Sequence, residues 1–294
     1  MKVRFWGVRG SIASPGPQTV RYGGNTTCIG VTTDAGATII LDGGTGIRPL
    51  GLLLMQDHPV ECAVCITHTH WDHIQGLPFF TPLFVPGNTV DVYGAFDPVY
   101  QKDLKSILSQ QMEYCYFPVR ELELKADVRY HTIREGVSVE YADATITNVM
   151  MNHPVMTYGY RIDCNGKSVF FTGDHEPPYN IYNEDDTFYG EYEQLIDDKV
   201  ENICKAASNV DLLIADAQYT EPEMVNRRGW GHGTFASSLS MARRAQAKAV
   251  CFTHHDPTRT DDQLDTIAQK LAAQPRPNDP DLYIAHEGLE IDLG

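Results

Sequence analysis

Four side chains that commonly bind metal ions lie within six residues, directly after a hydrophobic segment. They are His68, His70, Asp72 and His73. Successive side chains of an extended segment point to opposite faces, so His68 and His70 would share a face. If the chain turns after Trp71, the aspartate and the third histidine can face a second ion beside the first. The spacing therefore predicts a site for two metal ions.

Three later positions repeat one pattern, in which a hydrophobic strand brings a ligand type to its carboxyl end. The pattern places His153 after residues 145–151, Asp174 after residues 169–173, and His254 with His255 after residues 250–253. Each residue taken singly is also an ordinary turn residue. Together with the first four they give seven imidazole and carboxylate donors, a set suited to zinc, manganese or iron. The pattern does not decide between the adjacent His254 and His255.

The composition indicates a protein that folds around a large core without a membrane anchor. The 294 residues are 42% hydrophobic, enough for one large domain or two small ones. There is no run of 18 apolar residues, and Arg4 and Arg9 interrupt any signal peptide. Seven cysteines without scaffold-like spacing predict a reduced, cytoplasmic protein. Cys62 and Cys65 would face opposite sides of a strand, which predicts buried thiols rather than a metal pair.

The chain is strongly acidic. Its 23 Lys and Arg residues against 39 Asp and Glu residues give a net charge of −16. Binding to nucleic acid depends on Lys and Arg that neutralise phosphates, so this charge opposes non-specific attraction. The composition therefore disfavours a nucleic-acid partner and favours a small substrate.

The hydrophobic patterning predicts short strands in the first half and alternating helices and strands in the last third, which is typical of a layered α/β fold. The predicted strands are 2–6, 28–33, 38–41, 62–66, 89–93, 137–141, 145–151, 158–163, 168–171, 212–215 and 249–253, and the predicted helices are 47–56, 191–207, 234–245 and 262–273.

One segment, at about 97–127, reads as a helical insertion. A helix from Asp97 to Met112 would carry an apolar stripe at a spacing of four, from Tyr100 onward, and further aromatic residues follow it. Such a stripe usually packs into the core or against another subunit. The alternative is a cap whose aromatic side chains stack on a substrate base.

These motifs resemble those of the metallo-β-lactamase fold hydrolases. The resemblance covers most of residues 1–294 and implies one domain of class α/β, a four-layer αββα sandwich. It also implies two divalent metal ions, zinc first, with manganese or iron as alternatives. The first ion would bind His68, His70 and His153, and the second Asp72, His73 and His254, with Asp174 bridging them. Asp42 matches a buried carboxylate that orients the site, although it also suits a turn.

A second pair of motifs is similar to the phosphodiesterase branch, which includes tRNase Z and cyclic phosphodiesterases. These motifs are Gly231-His232-Gly233-Thr234 and Thr253-His254. The resemblance implies that His232 is the catalytic acid and that Asp216 orients it. The chain departs from the branch at one point, since Ala215-Asp216 stands where tRNase Z usually has His-Glu.

The resulting hypothesis is a dinuclear phosphodiesterase for a small phosphodiester, a cyclic nucleotide first. A metal-bridging hydroxide would attack, His232 would be the general acid, and Asp72 and Asp216 would belong to the catalytic set. The alternatives are a thioester or lactone hydrolase, a tRNase Z-like nuclease, and a non-catalytic nucleotide sensor. Relatives are often homodimers, and the sequence leaves the oligomeric state of this chain open.

Four further residues carry weaker expectations. Ser11 and Asn25 resemble early-loop segments of the branch that border the active site, although both also suit turns. Arg227 and Arg228 could contact a phosphate group or be merely solvated.

Overall fold

Two seven-stranded sheets pack face to face in the computed structural model, which describes residues 1–273 and 279–294. With strands numbered in chain order, the first sheet runs β14 (Glu290–Asp292), β1 (Lys2–Gly7), β2 (Cys28–Thr32), β3 (Thr38–Leu41), β4 (Glu61–Cys65), β5 (Thr89–Ala95), β6 (Asp127–Ile133). The second sheet runs β13 (Asp281–Ile284), β12 (Ala249–Thr253), β11 (Leu212–Asp216), β10 (Lys167–Phe171), β9 (Tyr158–Cys164), β8 (Ala144–Met150), β7 (Ser138–Tyr141).

Helices cover the outer face of each sheet, so the predicted αββα sandwich is confirmed. The first sheet contacts α1 (Ile47–Leu54) and α3 (Leu104–Gln110), and the second contacts α4 (Tyr189–Ala206), α6 (Phe235–Arg244) and α7 (Asp261–Ala272). Two single-turn helices complete the set, α2 (Trp71–Ile74) and α5 (Glu221–Met224). Short 3-10 turns span Met55–Asp57, Leu77–Phe79, Thr81–Phe84 and Glu121–Glu123. Among the described residues no helix has the length and apolar character needed to cross a bilayer.

The central strands are apolar on both faces because both faces are covered. In β3 the side chains of Ile39 and Leu41 enter the core between the sheets, whereas Ile40 packs under the helices of the first sheet. Cys62 and Cys65 of β4 divide in the same way, and both are fully buried free thiols, as the sequence predicts. Such continuous apolar runs are typical of sheets with helices on the outside.

The carboxyl ends of the inner strands meet at one edge of the sandwich. Strands β3 to β6 are parallel, and so are strands β10 to β13. Strand β8 runs in the direction of β10, because each is antiparallel to β9. Ligand sites of open α/β sheets lie at the carboxyl ends of strands, and the loops that leave these ends carry every predicted metal ligand.

The predicted helix at 97–112 is correct only in its second half. Asp97 and Lys102 form an isolated antiparallel bridge, which holds residues 97–102 as a tight loop. Asp103 is extended and accepts a hydrogen bond from the Ser106 N–H, so helix α3 begins only at Leu104. The segment 97–126 is the crossover that joins the parallel strands β5 and β6. That it is an insertion relative to other proteins stays a prediction.

Three strands have no counterpart in the sequence prediction. They are β6, β13 and β14, which lie at the edges of the two sheets. Strand β6 alternates between exposed and half-buried side chains. Because edge strands bury less side-chain surface, their sequences lack the apolar run that marks the central strands.

Candidate metal centre

The first group of donors combines side chains from the two sheets. His68 and His70 lie in the loop after β4, His153 follows β8 and Asp174 follows β10. Nδ1 of His70 is 3.0 Å from Nε2 of His68 and 3.1 Å from Nε2 of His153. Oδ2 of Asp174 is 3.4 Å from Nε2 of His68 and 3.8 Å from Nε2 of His153. Four donor atoms thus surround one point.

The second group lies beside the first and contains Asp72, His73, His254 and the same Asp174. Oδ1 of Asp174 is 3.1 Å from Nε2 of His73 and 3.1 Å from Nε2 of His254. The two imidazole nitrogens are 3.2 Å apart. Oδ2 of Asp72 is 3.4 Å from the nitrogen of His73 and 3.1 Å from that of His254. All four side chains are buried, two from each sheet.

The spacing and chemistry of both groups fit divalent metal ions. A tetrahedral zinc site with Zn–N bonds of 2.0–2.1 Å has donor atoms about 3.3–3.4 Å apart. The separations here bracket that value. Oδ1 of Asp174 is buried and has no hydrogen-bond partner among the residues that the structure describes, although two imidazole nitrogens lie 3.1 Å away. A carboxylate oxygen in this setting is satisfied by a cation, and Asp174 offers one oxygen to each group.

A third group of candidate donors overlaps the second. It contains Asp174, Asp216, His232 and His254. Two of its members already belong to the second group, and the other two are hydrogen-bonded to each other at 3.0 Å. The structure therefore offers two separate metal positions, with His232 and Asp216 beside them.

Three imidazoles have partners that leave Nε2 free for a metal. Nδ1 of His73 donates to Oδ2 of Asp42 at 2.7 Å, and Asp42 also accepts from the Thr67 N–H and hydroxyl. Nδ1 of His153 donates to the Gly231 carbonyl at 2.9 Å. Nδ1 of His254 donates to Oε1 of Gln218 at 2.9 Å. Such partners set the tautomer and orientation of a metal-binding histidine.

The close contact with His153 requires glycine at position 231. Gly231 has a φ of 89°, and a Cβ there would lie 2.2 Å from Nδ1 of His153. Its N–H donates to the buried carboxylate of Glu176, which also accepts from the Gly229 N–H. The loop before His232 is thereby held in place.

The electrostatics of the centre favour cations. Burial lowers the pKa of His68 well below its usual value and that of His153 to about 4, so both imidazoles are neutral and can bind a metal. Burial also lowers the pKa of His73, but the carboxylates of Asp174, Asp72 and Asp42 outweigh it and raise that pKa well above its usual value. The same negative charge would stabilise a bound divalent ion.

The partly buried His232 and the buried Asp216 form a hydrogen-bonded pair at the border of the two groups. Nδ1 of His232 lies 3.0 Å from Oδ2 of Asp216 and 3.7 Å from Oδ2 of Asp174. Burial lowers the pKa of His232, but Asp216 and Asp174 outweigh that effect and raise it to about 9. Asp216 is held by the backbone N–H groups of His175 and Gln218. These hydrogen bonds therefore fix the orientation of the imidazole beside the two donor groups.

His254 and His255, which the sequence could not separate, point in different directions. His254 has a φ of 60°, and its Nε2 lies among the second group. His255 is fully buried, and its Nε2 donates to the Ala285 carbonyl at 2.8 Å. Burial lowers its pKa to about 3, so it is a neutral core residue.

The weaker sequence expectations have mixed outcomes. The Ser11 N–H donates to Oδ2 of Asp72 at 2.6 Å, so this loop borders the second group. Asn25 instead bonds to the carboxylate of Glu287. The guanidinium groups of Arg227 and Arg228 stack on aromatic rings, those of Tyr219 and Tyr179.

Sequence reasoning missed the residues that form hydrogen bonds to the metal ligands and to the loops that carry them. Gln218, Thr67 and Glu176 are buried polar side chains that bond to ligands or to their loops. Gln218 and Glu176 each lie two residues after a predicted site residue, Asp216 and Asp174. This spacing of two residues is the one sequence signal for these side chains, and it is too common to identify a supporting residue.

Comparison with known sequences identifies relatives over most of the chain. A model of the Beta-lactamase superfamily domain matches residues 37–255, which include both donor groups. A ribonuclease Z of Agathobacter rectalis is 25% identical over 291 residues, 88% of this chain and 89% of that protein. A ribonuclease Z of Shouchella clausii is 26% identical over 227 residues, 65% of this chain and 68% of that protein.

Solved structures share the whole fold. The metallo-beta-lactamase fold protein YhfI from Bacillus subtilis superposes with a TM-score of 0.65 at 18% identity, covering 99% of this chain and 98% of that one. A diphosphatase from the PhnP family superposes with a TM-score of 0.65 at 19% identity. That match covers 99% of this chain and 97% of the diphosphatase. The short form of human tRNase Z superposes with a TM-score of 0.64 at 18% identity, and the match covers 100% of both chains.

Proposed function

This chain belongs to the β-lactamase superfamily. From that premise we propose that it is a dinuclear phosphodiesterase that acts on a small phosphodiester, with a cyclic nucleotide as the leading candidate substrate. As a member of this family the protein is a metal-dependent hydrolase. The observation that carries the narrower proposal is the pair of His232 and Asp216, joined at 3.0 Å directly beside the two donor groups.

Each donor group would hold one divalent ion. His68, His70 and His153 would bind one, and Asp72, His73 and His254 the other, with Asp174 offering one oxygen to each. The donor set of imidazoles and carboxylates favours zinc, with manganese or iron as alternatives. When bound, two such ions polarise a phosphoryl oxygen and lower the pKa of water so that it becomes a nucleophile at neutral pH.

His232 would supply the proton for the leaving oxygen. In the protonated ring Nδ1–H donates to Asp216 and the proton on Nε2 is available for transfer. Asp216, which does not belong to either donor group, favours the protonated form of this ring through the same hydrogen bond. A general acid contributes about 10²–10⁴-fold to the rate. Thioester hydrolysis has less need of this residue, because a thiolate is a weaker base than the alkoxide that leaves from a phosphodiester.

RNA cleavage is the second candidate, because the curated relatives bear the name ribonuclease Z. Against it stands the net charge of −16, which weakens attraction to a polyanion. The names of the relatives nevertheless remove the ground for dismissing nucleic acid as a substrate, so both substrate classes belong in the test.

The test is hydrolysis by protein loaded with zinc or manganese, with metal content measured in the same samples. The substrates are bis-p-nitrophenyl phosphate, cyclic AMP, cyclic GMP and a precursor tRNA. His232→Ala is compared with His58→Ala, which removes an exposed imidazole at the opposite edge of the sheet.

We expect cyclic-nucleotide turnover that falls by about 10²–10⁴-fold in His232→Ala with both metals retained, and a normal rate in His58→Ala. Turnover of precursor tRNA without cyclic-nucleotide turnover would replace the small substrate by RNA. Two bound metals without hydrolysis of any phosphodiester would overturn the proposal and direct the search to thioesters and lactones.

A further inference from the structure

A cavity of 360 Å³ adjoins the first donor group. It is lined by Ile66, His68 and Thr69 in the loop after β4. Val155 and Met156, which follow His153 in the chain, also line it. The two loops that supply imidazoles to the first group therefore also line the cavity.

Part of the lining of the cavity is a loop whose apolar side chains are exposed to solvent. Phe96, Val99 and Tyr100 line it, and their side chains are 42%, 78% and 76% exposed. This loop follows β5 and is fixed by the bridge between Asp97 and Lys102. A rigid aromatic ring beside an open cavity offers a face on which a planar group can stack.

One carboxylate interrupts the apolar lining. Oδ1 of Asp97 accepts a hydrogen bond from the Val99 N–H at 2.9 Å. Among the described residues no hydrogen bond engages Oδ2 of Asp97, so this oxygen can accept from a ligand. A carboxylate in an apolar pocket selects a ligand with an N–H donor and costs binding energy for a purely apolar group.

We propose that this cavity binds the nucleobase next to the scissile phosphate and that it prefers bases with an exocyclic amino group. The inference rests on the phosphodiesterase function and adds a substrate class to it. The base would stack on Tyr100, and its amino group would donate to Asp97. A volume of 360 Å³ lies in the range of pockets for one small ligand and suits a single nucleoside.

The test uses three substrates with one leaving group. They are methyl p-nitrophenyl phosphate, which has no base, and the p-nitrophenyl esters of adenosine 5′-phosphate and of purine riboside 5′-phosphate, which differ only in the amino group. The variants are Tyr100→Ala, Tyr100→Phe and Asp97→Asn. Asp57→Asn is the matched control, since it removes an exposed carboxylate at the amino end of β4.

Tyr100→Ala should lower kcat/KM for both nucleoside esters by about 5- to 100-fold, the usual range for one stacking ring, and leave the methyl ester unchanged. Tyr100→Phe keeps the ring and should restore the rate. The wild-type protein should prefer the adenosine ester to the purine riboside ester by about 10-fold, and Asp97→Asn should abolish that preference. Asp57→Asn should behave as wild type.

Equal effects of Tyr100→Ala on all three substrates, or a preference that survives Asp97→Asn, would overturn the inference. Binding of adenosine 5′-monophosphate, measured by calorimetry on each variant, gives a readout that does not depend on turnover. If the metal-loaded protein fails to hydrolyse even the methyl ester, the phosphodiesterase proposal fails, whereas weaker nucleotide binding by Tyr100→Ala would still support the cavity.

Discussion

The amide oxygen of Gln218 lies 2.9 Å from Nδ1 of His254 and accepts a hydrogen bond from it. The amide nitrogen of Gln218 donates to the Tyr219 hydroxyl at 3.1 Å, which fixes the orientation of the amide. The imidazole therefore has its proton on Nδ1 and its lone pair on Nε2, toward the second donor group. A residue absent from the sequence hypothesis thus prepares a ligand for its metal.

Gln218→Leu should weaken binding of the second metal by about 10- to 100-fold, because the imidazole loses the partner that orients it. Competition with a chromogenic chelator measures the two affinities separately. Gln194→Leu, on the exposed face of α4, is the control. An unchanged second affinity, or an equal loss at both positions, would contradict the assigned role.

Each donor group should bind one metal ion, so a substitution in one group should remove one ion. Wild-type protein should bind two ions, His68→Ala and His73→Ala should each lose one, and Asp174→Ala should lose both because it contributes to each group. Chelation should lower Tm, since an ion at about 100 times its Kd stabilises the folded state by roughly 2.7 kcal/mol. Elemental analysis and thermal unfolding measure both effects, and retention of two ions by Asp174→Ala would refute the shared ligand.

The loss of His232 should depend on the leaving group. A p-nitrophenolate departs without protonation, whereas an alkoxide requires a proton. His232→Ala should therefore reduce cyclic-nucleotide hydrolysis by about 10²–10⁴-fold and hydrolysis of bis-p-nitrophenyl phosphate much less. Asp216→Asn, which weakens the hydrogen bond to the ring, should show the same dependence. A uniform loss on both substrates would indicate a structural role instead.

Stability at acidic pH should depend on Glu223, which accepts hydrogen bonds from Arg259. Burial raises the pKa of Glu223, but Arg259 and Thr220 outweigh it and lower the pKa to about 2. A depressed pKa contributes stability above the unfolded-state value of about 4.3, and that stability is lost as the pH falls toward 2.

The free energy of unfolding of Glu223→Gln should thus be lower than that of wild type near pH 6, and the difference should vanish near pH 2. Urea unfolding of the metal-free proteins between pH 6 and pH 2 measures it. Glu201→Gln, an exposed residue of α4, should show no such convergence. A difference that is constant with pH would rule out the charged contact as its source.

The sequence predicts the fold and the donor set because both depend on strong local patterns. Apolar strands followed by His153, Asp174 or His254 are visible in the printed chain, and parallel strands bring their carboxyl ends together. The adjacent His254 and His255 remained open because the turn at that point decides which ring faces the metals, and φ is 60° at His254.

Other features escape sequence reasoning because they depend on contacts between distant segments. The bond between the Ser11 N–H and Asp72 joins residues 61 positions apart, and Gln218 meets His254 across 36 positions. The helix expected from Asp97 begins late because Asp103 caps it and a short bridge precedes it. An apolar stripe at helical spacing carries no information about such a loop.

Each donor group takes two side chains from the first sheet and two from the second. A bound ion would therefore act as a cross-link between the two sheets. It would connect His73 to His254, which are 181 residues apart in the chain. Loading the protein would then restrain the two sheets from separating at this edge. Amide exchange should slow on metal binding at the carboxyl ends of β4 and β12 together, while the far edge of each sheet should exchange as before.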